Sequence, residues 1–265
     1  MTVFRLAAAV ATASALGGPL MAQDAGATRQ RPVAQSSIGV DAGYVSFDDA
    51  TAAWRLGAVS LMRRTTAGTL IGRVNVADRF GTTGVQYEAD AYPRLGGTTY
   101  AYLNAGWSAA SIFPEWRYGA ELFTGLPQAY EASLGVRHLR FAGDPVTLLT
   151  ASVGKYLGNY WLSLRPYVRR KDDQLTASGG LTVRRYQETA DDYVGIRASV
   201  GSTPGDPVTA TDLARTRSVS AGVHASRALS RQLTGTAALG YERETLDVIR
   251  RRNRLELNAG ARVAF

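Results

Sequence analysis

The stretch that decides the fold is RLELNAGARVAF, Arg254 to Phe265. Leu255, Leu257, Ala259, Ala261, Val263 and Phe265 alternate there with Glu256, Asn258, Gly260, Arg262 and Ala264. Successive side chains of a strand point to opposite faces, so this segment is a strand with one apolar face and one polar or small face. One strand does not say whether the apolar face meets a core or a lipid. The rest of the chain decides that.

The same period of two runs through the chain. In SSIGVDAGYV, Ile38, Val40, Ala42 and Tyr44 oppose Ser37, Gly39, Asp41 and Gly43. In PEWRYGAELF, Trp116, Tyr118, Ala120 and Leu122 oppose Glu115, Arg117, Gly119 and Glu121, and YVGIRASVG and VSAGVHAS repeat the pattern. A helical period does not produce these registers, so the expected fold is all-β. We count about fourteen such segments, each near the ~9–11 residues with which a tilted strand crosses a bilayer. They run from 36–47 through 52–63, 113–124 and 190–201 to 253–265. With the first strand running outward, odd-numbered connections face outward and should be the longer ones. The two longest, STPGDPVTATDLA after Gly201 and ETLDVIRRRN after Arg243, fall on that side. Tyr44, Trp54, Tyr87, Trp107, Trp116, Tyr118 and Tyr241 share the apolar phase near outer strand ends, and Tyr160 and Phe265 near inner ones. Rings so placed are the interfacial girdles of a membrane barrel.

The first residues read as an export signal. Arg5 precedes the apolar run Leu6–Leu20, and Ala22 ends a cleavage site, which predicts a signal peptide over 1–22. Residues 23–35 form a polar periplasmic lead-in and 36–265 the barrel domain. No later stretch is apolar enough for a membrane helix, so a spanning chain must be a single antiparallel transmembrane β-barrel. The sequence has no Cys and only 2 His, which removes disulfides and Cys-based or His-rich metal centres. The formal charge of +8 is scattered over alternating segments without a nucleic-acid-binding signature, so no nucleic-acid partner is expected. P-loop, HExxH and Ca²⁺-loop patterns are missing, and no cofactor is expected.

Several blocks carry a resemblance: IGRVNVADRFG (71–81), QYEADAYPRL (86–95), TYAYLNAGWS (99–108), FPEWRYGAELF (113–123), EASLGVRHLRF (131–141), GKYLGNYWLSLRPY (154–167) and RRY (184–186). Together, in this order, they resemble the YaiO family of outer-membrane β-barrels. The likeness runs from about Gly43 to the C-terminus and is strongest between 71 and 167. It implies residence in the outer membrane of a Gram-negative bacterium, with no defined chemistry. The chain also resembles outer-membrane barrels in ending on Phe265, which implies an assembly signal read by the barrel-assembly machinery.

The inward phase is heavily charged. Arg73, Glu88, Asp90, Arg117, Glu121, Glu131, Arg137 and Arg165 are the expected lumen network, with Arg79, Arg184, Arg197, Glu242, Glu256 and Arg262 in the same phase. Tyr92, Tyr100, Tyr102, Tyr167 and Tyr186 are interleaved. Such a set either lines a solute path or pairs into ion bridges that fill a narrow barrel, and desolvated charges persist only when paired. Same-face spacing predicts that Arg117 and Glu121 pair with the strands on either side, with Glu131 and Arg137 as partners. The expected function is a non-catalytic envelope barrel, either a narrow pore or an accessory to surface-polysaccharide traffic.

The competing reading is a lipid-modifying enzyme, a phospholipase or lipid A deacylase. His138 falls in the lipid phase near an outer strand end, with Thr147 and Trp116 nearby but no Ser to serve as nucleophile. His224, inward beside Ser220 and Ser226, reads as a network member. The cluster Arg250–Arg252 and Arg254 reads either as a patch for lipopolysaccharide phosphates or as a loop tip salted by Glu242, Glu244 and Asp247. Outer-membrane lipids and lipopolysaccharide are the expected surroundings.

Overall fold

The computed structural model describes residues 36–171, 174–202, 216–246 and 250–265. The expected signal peptide and lead-in, and the loop residues 203–215 and 247–249, lie outside them. Fourteen strands follow in chain order: β1 Ser36–Phe47, β2 Trp54–Thr65, β3 Gly68–Arg79, β4 Thr82–Gly96, β5 Thr99–Trp107, β6 Trp116–Leu126, β7 Tyr130–Phe141, β8 Asp144–Leu157, β9 Tyr160–Lys171, β10 Gln174–Tyr186, β11 Tyr193–Gly201, β12 Arg217–Ala228, β13 Leu233–Thr245 and β14 Arg251–Ala264. Each pairs antiparallel with its chain neighbours, and β1 pairs with β14 to close the barrel. The seam runs in register from Ser37 opposite Ala264 to Phe47 opposite Arg254. Phe265 and Ser36 finish it with reciprocal N–H···O bonds of 2.9 and 3.1 Å. Closure leaves no edge strand, which a bilayer would not tolerate.

The distribution of side chains is inverted relative to a soluble sheet. Ile38, Leu61, Leu164, Ile196, Val223 and Leu257 are exposed on the outer wall, and Leu134 is 70% exposed. Glu88, Asp90, Arg117, Glu121 and Arg137 are buried inside. Water against that outer wall would forfeit ~25 cal/mol for each Å² of apolar surface, so the arrangement suits hydrocarbon outside and polar groups within. Tyr44, Tyr87, Trp107, Trp116, Tyr118 and Tyr241 are exposed in this outward phase, as are Tyr160 and Phe265. Tyr87 stacks on Trp107 at 6.1 Å and Trp116 on Tyr118 at 6.1 Å, giving the girdle a continuous aromatic arc over β4–β6.

Trp54 corrects the expected girdle. It is 0% exposed and points into the barrel with Leu56, Ala58 and Met62. On β2 both faces are apolar. Val59 and Leu61 face out, while Trp54 and Leu56 pack inside against Val45, Ala77, Ile112 and Phe113.

The rim bearing Ser36 and Phe265 carries short turns at 66–67, 97–98 and 158–159. The longest connection on that rim is 187–192, whereas the opposite rim has the two longest of all, 108–115 and the one between Gly201 and Arg217, as the outward side of an outer-membrane barrel does. Two of the described outward connections are nonetheless tight. Phe80–Gly81 (φ 54° and 73°) and Ala142–Gly143 (φ 47° and 94°) hold both residues at positive φ, the geometry whose twist matches a two-residue hairpin. Expected strands at 52–63, 113–124 and 190–201 start later, at Trp54, Trp116 and Tyr193. Between Ser108 and Glu115 the backbone leaves the ladder, with Phe113 N–H bonded to Ala110 O at 3.1 Å, and the segment turns into the barrel mouth.

Candidate functional site: the lumen

The outer mouth is narrowed by that segment. Ile112 and Phe113 are buried beside Val45, Trp54, Leu56 and Ala77. Arg79 donates to Ile112 O at 3.2 Å, and its guanidinium lies over both Trp54 (5.3 Å) and Phe113 (5.0 Å). Arg254 covers Trp54 at 5.1 Å, and Arg252 covers Phe47 at 4.5 Å. Arg252 also donates to Glu244, which is 0% exposed, at 2.9 and 2.5 Å. Arg254 bridges Glu256 at 3.2 Å and Glu242 at 3.9 Å. Arg252 and Arg254 therefore belong to the barrel interior, not to an outward phosphate-binding patch. The two guanidiniums sit two residues apart on a strand, hence on one face.

Below the mouth, the eight residues read from the inward phase gather on the β3–β9 wall. Arg73 bridges Glu88 (3.2 Å) and Asp90 (3.1 Å), and Arg117 bridges Glu88 at 3.1 Å. Asn75 donates to Glu88 at 2.7 Å. Asn104 accepts from Arg117 (3.0 Å) and donates to Asp90 (2.7 Å), and Tyr102 donates to Asp90 at 3.0 Å. Glu121 is paired with Arg165 and accepts from Ser133 at 2.5 Å. Glu131 accepts from Tyr100 at 3.4 Å, and Arg137 lies over the Tyr167 ring at 5.8 Å. Each buried carboxylate here has a cationic or hydroxyl partner, which is what keeps a charge tolerable in a poorly hydrated interior.

Two of the pairs span more than one strand step. Arg117 reaches Glu88, two strands away, because the residue between them on β5 is Gly106. A Cβ on Gly106 would sit 2.7 Å from Arg117 Cγ and 3.1 Å from Glu88 Cγ, so a larger residue would displace the pair. Glu121 reaches a cation on β9, Arg165, since the residues it crosses, Ser133, Thr150 and Ser152, are short. Glu131 takes a tyrosine hydroxyl, and Arg137 lies over an aromatic face.

The opposite wall is different in kind. On β10–β13 the inward residues are mostly small: Ser178, Gly180, Thr182, Ser199, Ser220, Gly222, Thr236 and Gly240. They are half-buried where their counterparts on β4–β7 are buried. The lumen is thus packed on one side and lined by short hydroxylated residues on the other. Among the described strands, inward arginines outnumber inward acids, with Arg169, Arg184 and Arg197 adding to those paired above. On the outer wall, His138 Nδ1 lies 3.0 Å from Thr147 Oγ1, flanked by Tyr118 on β6.

Comparison with known proteins agrees with this architecture. The model of the YaiO membrane β-barrel domain matches residues 35–206, more than half of the chain. No curated protein sequence matches it significantly. Among solved structures, the outer membrane protein Omp33 of Acinetobacter baumannii superposes with a TM-score of 0.52 at 11% identity, covering 89% of this chain and 100% of its own. A bacterial polysaccharide outer membrane secretin gives a TM-score of 0.56 at 7% identity, covering 88% of this chain and 100% of its own. At such identities the likeness concerns the fold.

Proposed function

The chain belongs to the YaiO family of membrane β-barrels, an outer-membrane barrel by fold and family, and from that premise we propose that it is a non-catalytic, narrow, anion-preferring passage for hydrophilic envelope solutes. Accessory traffic of surface polysaccharide is the physiological role we attach to it. The observation that carries the reading is the asymmetry of the lumen. Fourteen strands enclose more space than an eight-stranded barrel, whose side chains fill it. Here the network on β3–β9 fills one side, and the short residues of β10–β13 leave the other to solvent. Selectivity in such a path follows the sign of its lining charges. The inward excess of arginine favours anions.

Planar-bilayer recordings of the purified barrel test this. We expect small, anion-selective steps that Ser220→Trp, on the open wall, abolishes. The reading fails if the protein is silent or if Ser220→Trp conducts like wild type. Removing the bulk of the inward loop with Phe113→Gly should enlarge the steps. A second reading, lipid hydrolysis at the outer leaflet, draws on the His138–Thr147 contact. It would need a third group to orient the imidazole and an oxyanion site. Lipid profiles of cells with and without the gene separate the two readings.

A further inference from the structure

Strand parity divides the arginine run that opens β14. Arg252 and Arg254 point inward, whereas Arg251 shares the outward phase with Leu255 and Leu257. Two more arginines stand beside it in that phase, Arg217 at the outer end of β12 and Arg243 near the outer end of β13. Thr245 lies opposite both Arg217 and Arg251, and Arg243 is the next outward residue below it. With strands ~4.8 Å apart and a rise of ~3.4 Å per residue, the three Cα atoms form a triangle with sides of about 8–10 Å. All three side chains are exposed.

Among the described residues, none of the three meets a carboxylate, although Arg55 and Arg140 on the same rim do, facing Asp78 at 3.8 Å and Glu115 at 3.5 Å. The nearby acids are turned away or engaged. Glu242 and Glu244 alternate with Arg243 and so face the lumen, where Arg254 stands 3.9 Å from Glu242 and Arg252 donates to Glu244 at 2.9 Å. In the adjoining loop, Asp48 accepts the Asn253 N–H at 2.7 Å and Asp49 lies 3.4 Å from Arg250. Below the arginines, the exposed Tyr241 ring sits at the headgroup level, its hydroxyl donating to Asn253 Oδ1 at 2.7 Å. Val219, Leu239 and Leu255 continue that wall toward the membrane interior.

Three guanidiniums without acids, on the lipid-facing side of the outward rim, call for anionic oxygens from the lipid itself. The planar fork of arginine matches a phosphate with two parallel bonds. We propose that Arg217, Arg243 and Arg251 form a binding site for lipopolysaccharide of the outer leaflet. The arginines grip the phosphates of its lipid anchor, and the acyl chains lie along Val219, Leu239 and Leu255. The site is on the outer wall, so it stands whether or not the lumen conducts.

The experiment titrates the purified, full-length barrel in neutral detergent and reads bound lipid by native mass spectrometry. The probes are the bis-phosphorylated lipid anchor, the same lipid stripped of its phosphates, phosphatidylglycerol, and an acidic polysaccharide with no lipid. We expect the bis-phosphorylated anchor to bind about tenfold or more above each of the other three. Arg243→Gln or Arg251→Gln should weaken it about fivefold, the worth of one basic residue at a charged membrane surface, and the triple variant with Arg217→Gln about a hundredfold. Arg55→Gln, on the same rim but paired with Asp78, should bind like wild type. All variants should unfold at the wild-type temperature in lipid-free detergent. Equal binding of the phosphate-free lipid, of phosphatidylglycerol or of the lipid-free polysaccharide overturns the assignment. So does a triple variant of wild-type affinity, an Arg55→Gln loss equal to that of Arg243→Gln, or a fall in unfolding temperature that matches the loss of binding.

Discussion

Glu88 offers the sharpest test of how dry the packed wall is. Its carboxylate is buried between Arg73 (3.2 Å) and Arg117 (3.1 Å) and also accepts from Asn75 (2.7 Å). With charge centres about 4 Å apart, one such pair amounts to ~4 kcal/mol at an effective dielectric of about 20 and ~1 kcal/mol in bulk water. Glu88→Gln leaves two guanidiniums facing a neutral amide and should cost about 3–5 kcal/mol, the usual penalty for breaking a buried pair from one side. The double variant Glu88→Gln, Arg117→Gln should recover part of that loss, because Arg73 retains Asp90 at 3.1 Å. The assay is reversible denaturant unfolding of the four members of the cycle in lipid vesicles, read as a coupling energy. A coupling of about 2 kcal/mol or more fits a desolvated network. A value below ~1 kcal/mol, with Glu88→Gln as stable as wild type, would mean a water-filled wall and refute the reasoning.

Three further outcomes follow from the same geometry. Ala259→Arg, on the lipid-facing phase of β14, should destabilise by about 2–4 kcal/mol if near the midplane, while Asn258→Arg, facing inward beside Glu256, should be tolerated; equal effects in unfolding titrations would overturn the phase assignment. Gly106→Val should displace Arg117 from Glu88 and reproduce most of the Glu88→Gln loss, and a barrel of wild-type stability would show that the gap at Gly106 is not what lets the pair form. In the loop after β1, outside the spanning strands, Asp48 accepts the Asn253 backbone N–H at 2.7 Å as well as its side-chain amide, and these bonds hold its carboxyl below the ordinary 3.8. This clasp should be fully formed above the ordinary value and lost as pH falls through the lowered one; a carboxyl shift titrating at or above 3.8 would contradict it.

Much of this was legible in the chain because a strand has only two faces. Once Leu255, Leu257 and Phe265 share one face and Glu256, Asn258 and Arg262 the other, repetition over the chain leaves little besides a barrel, and the inward set from Arg73 to Arg165 falls out of the same parity. Parity fails where both faces are apolar. On β2 it could not say whether Trp54 or Val59 meets lipid, because that depends on Ile112 and Phe113, brought into the mouth from far along the chain. Pairing partners were equally hidden. Nearest-neighbour reasoning assumes a side chain on every strand, and Gly106 lets Arg117 pass over β5 to Glu88.

The central claim, a barrel with lipid outside, one desolvated inner wall and one hydrated wall, is tested most directly by nitroxide accessibility. The chain has no cysteine, so single cysteines can be placed without altering the background. Leu134 and Val219 lie in the outward phase of β7 and β12; Ser133 and Ser220 are their inward neighbours, the first buried at 8% exposure and the second half-buried. In bilayers, labels at 134 and 219 should relax strongly with oxygen and weakly with a water-soluble nickel chelate. The label at 220 should respond to the chelate, and the label at 133 to neither. Equal chelate access at 133 and 220 would contradict the half-filled lumen, and chelate access at 134 or 219 would contradict the barrel's orientation toward lipid.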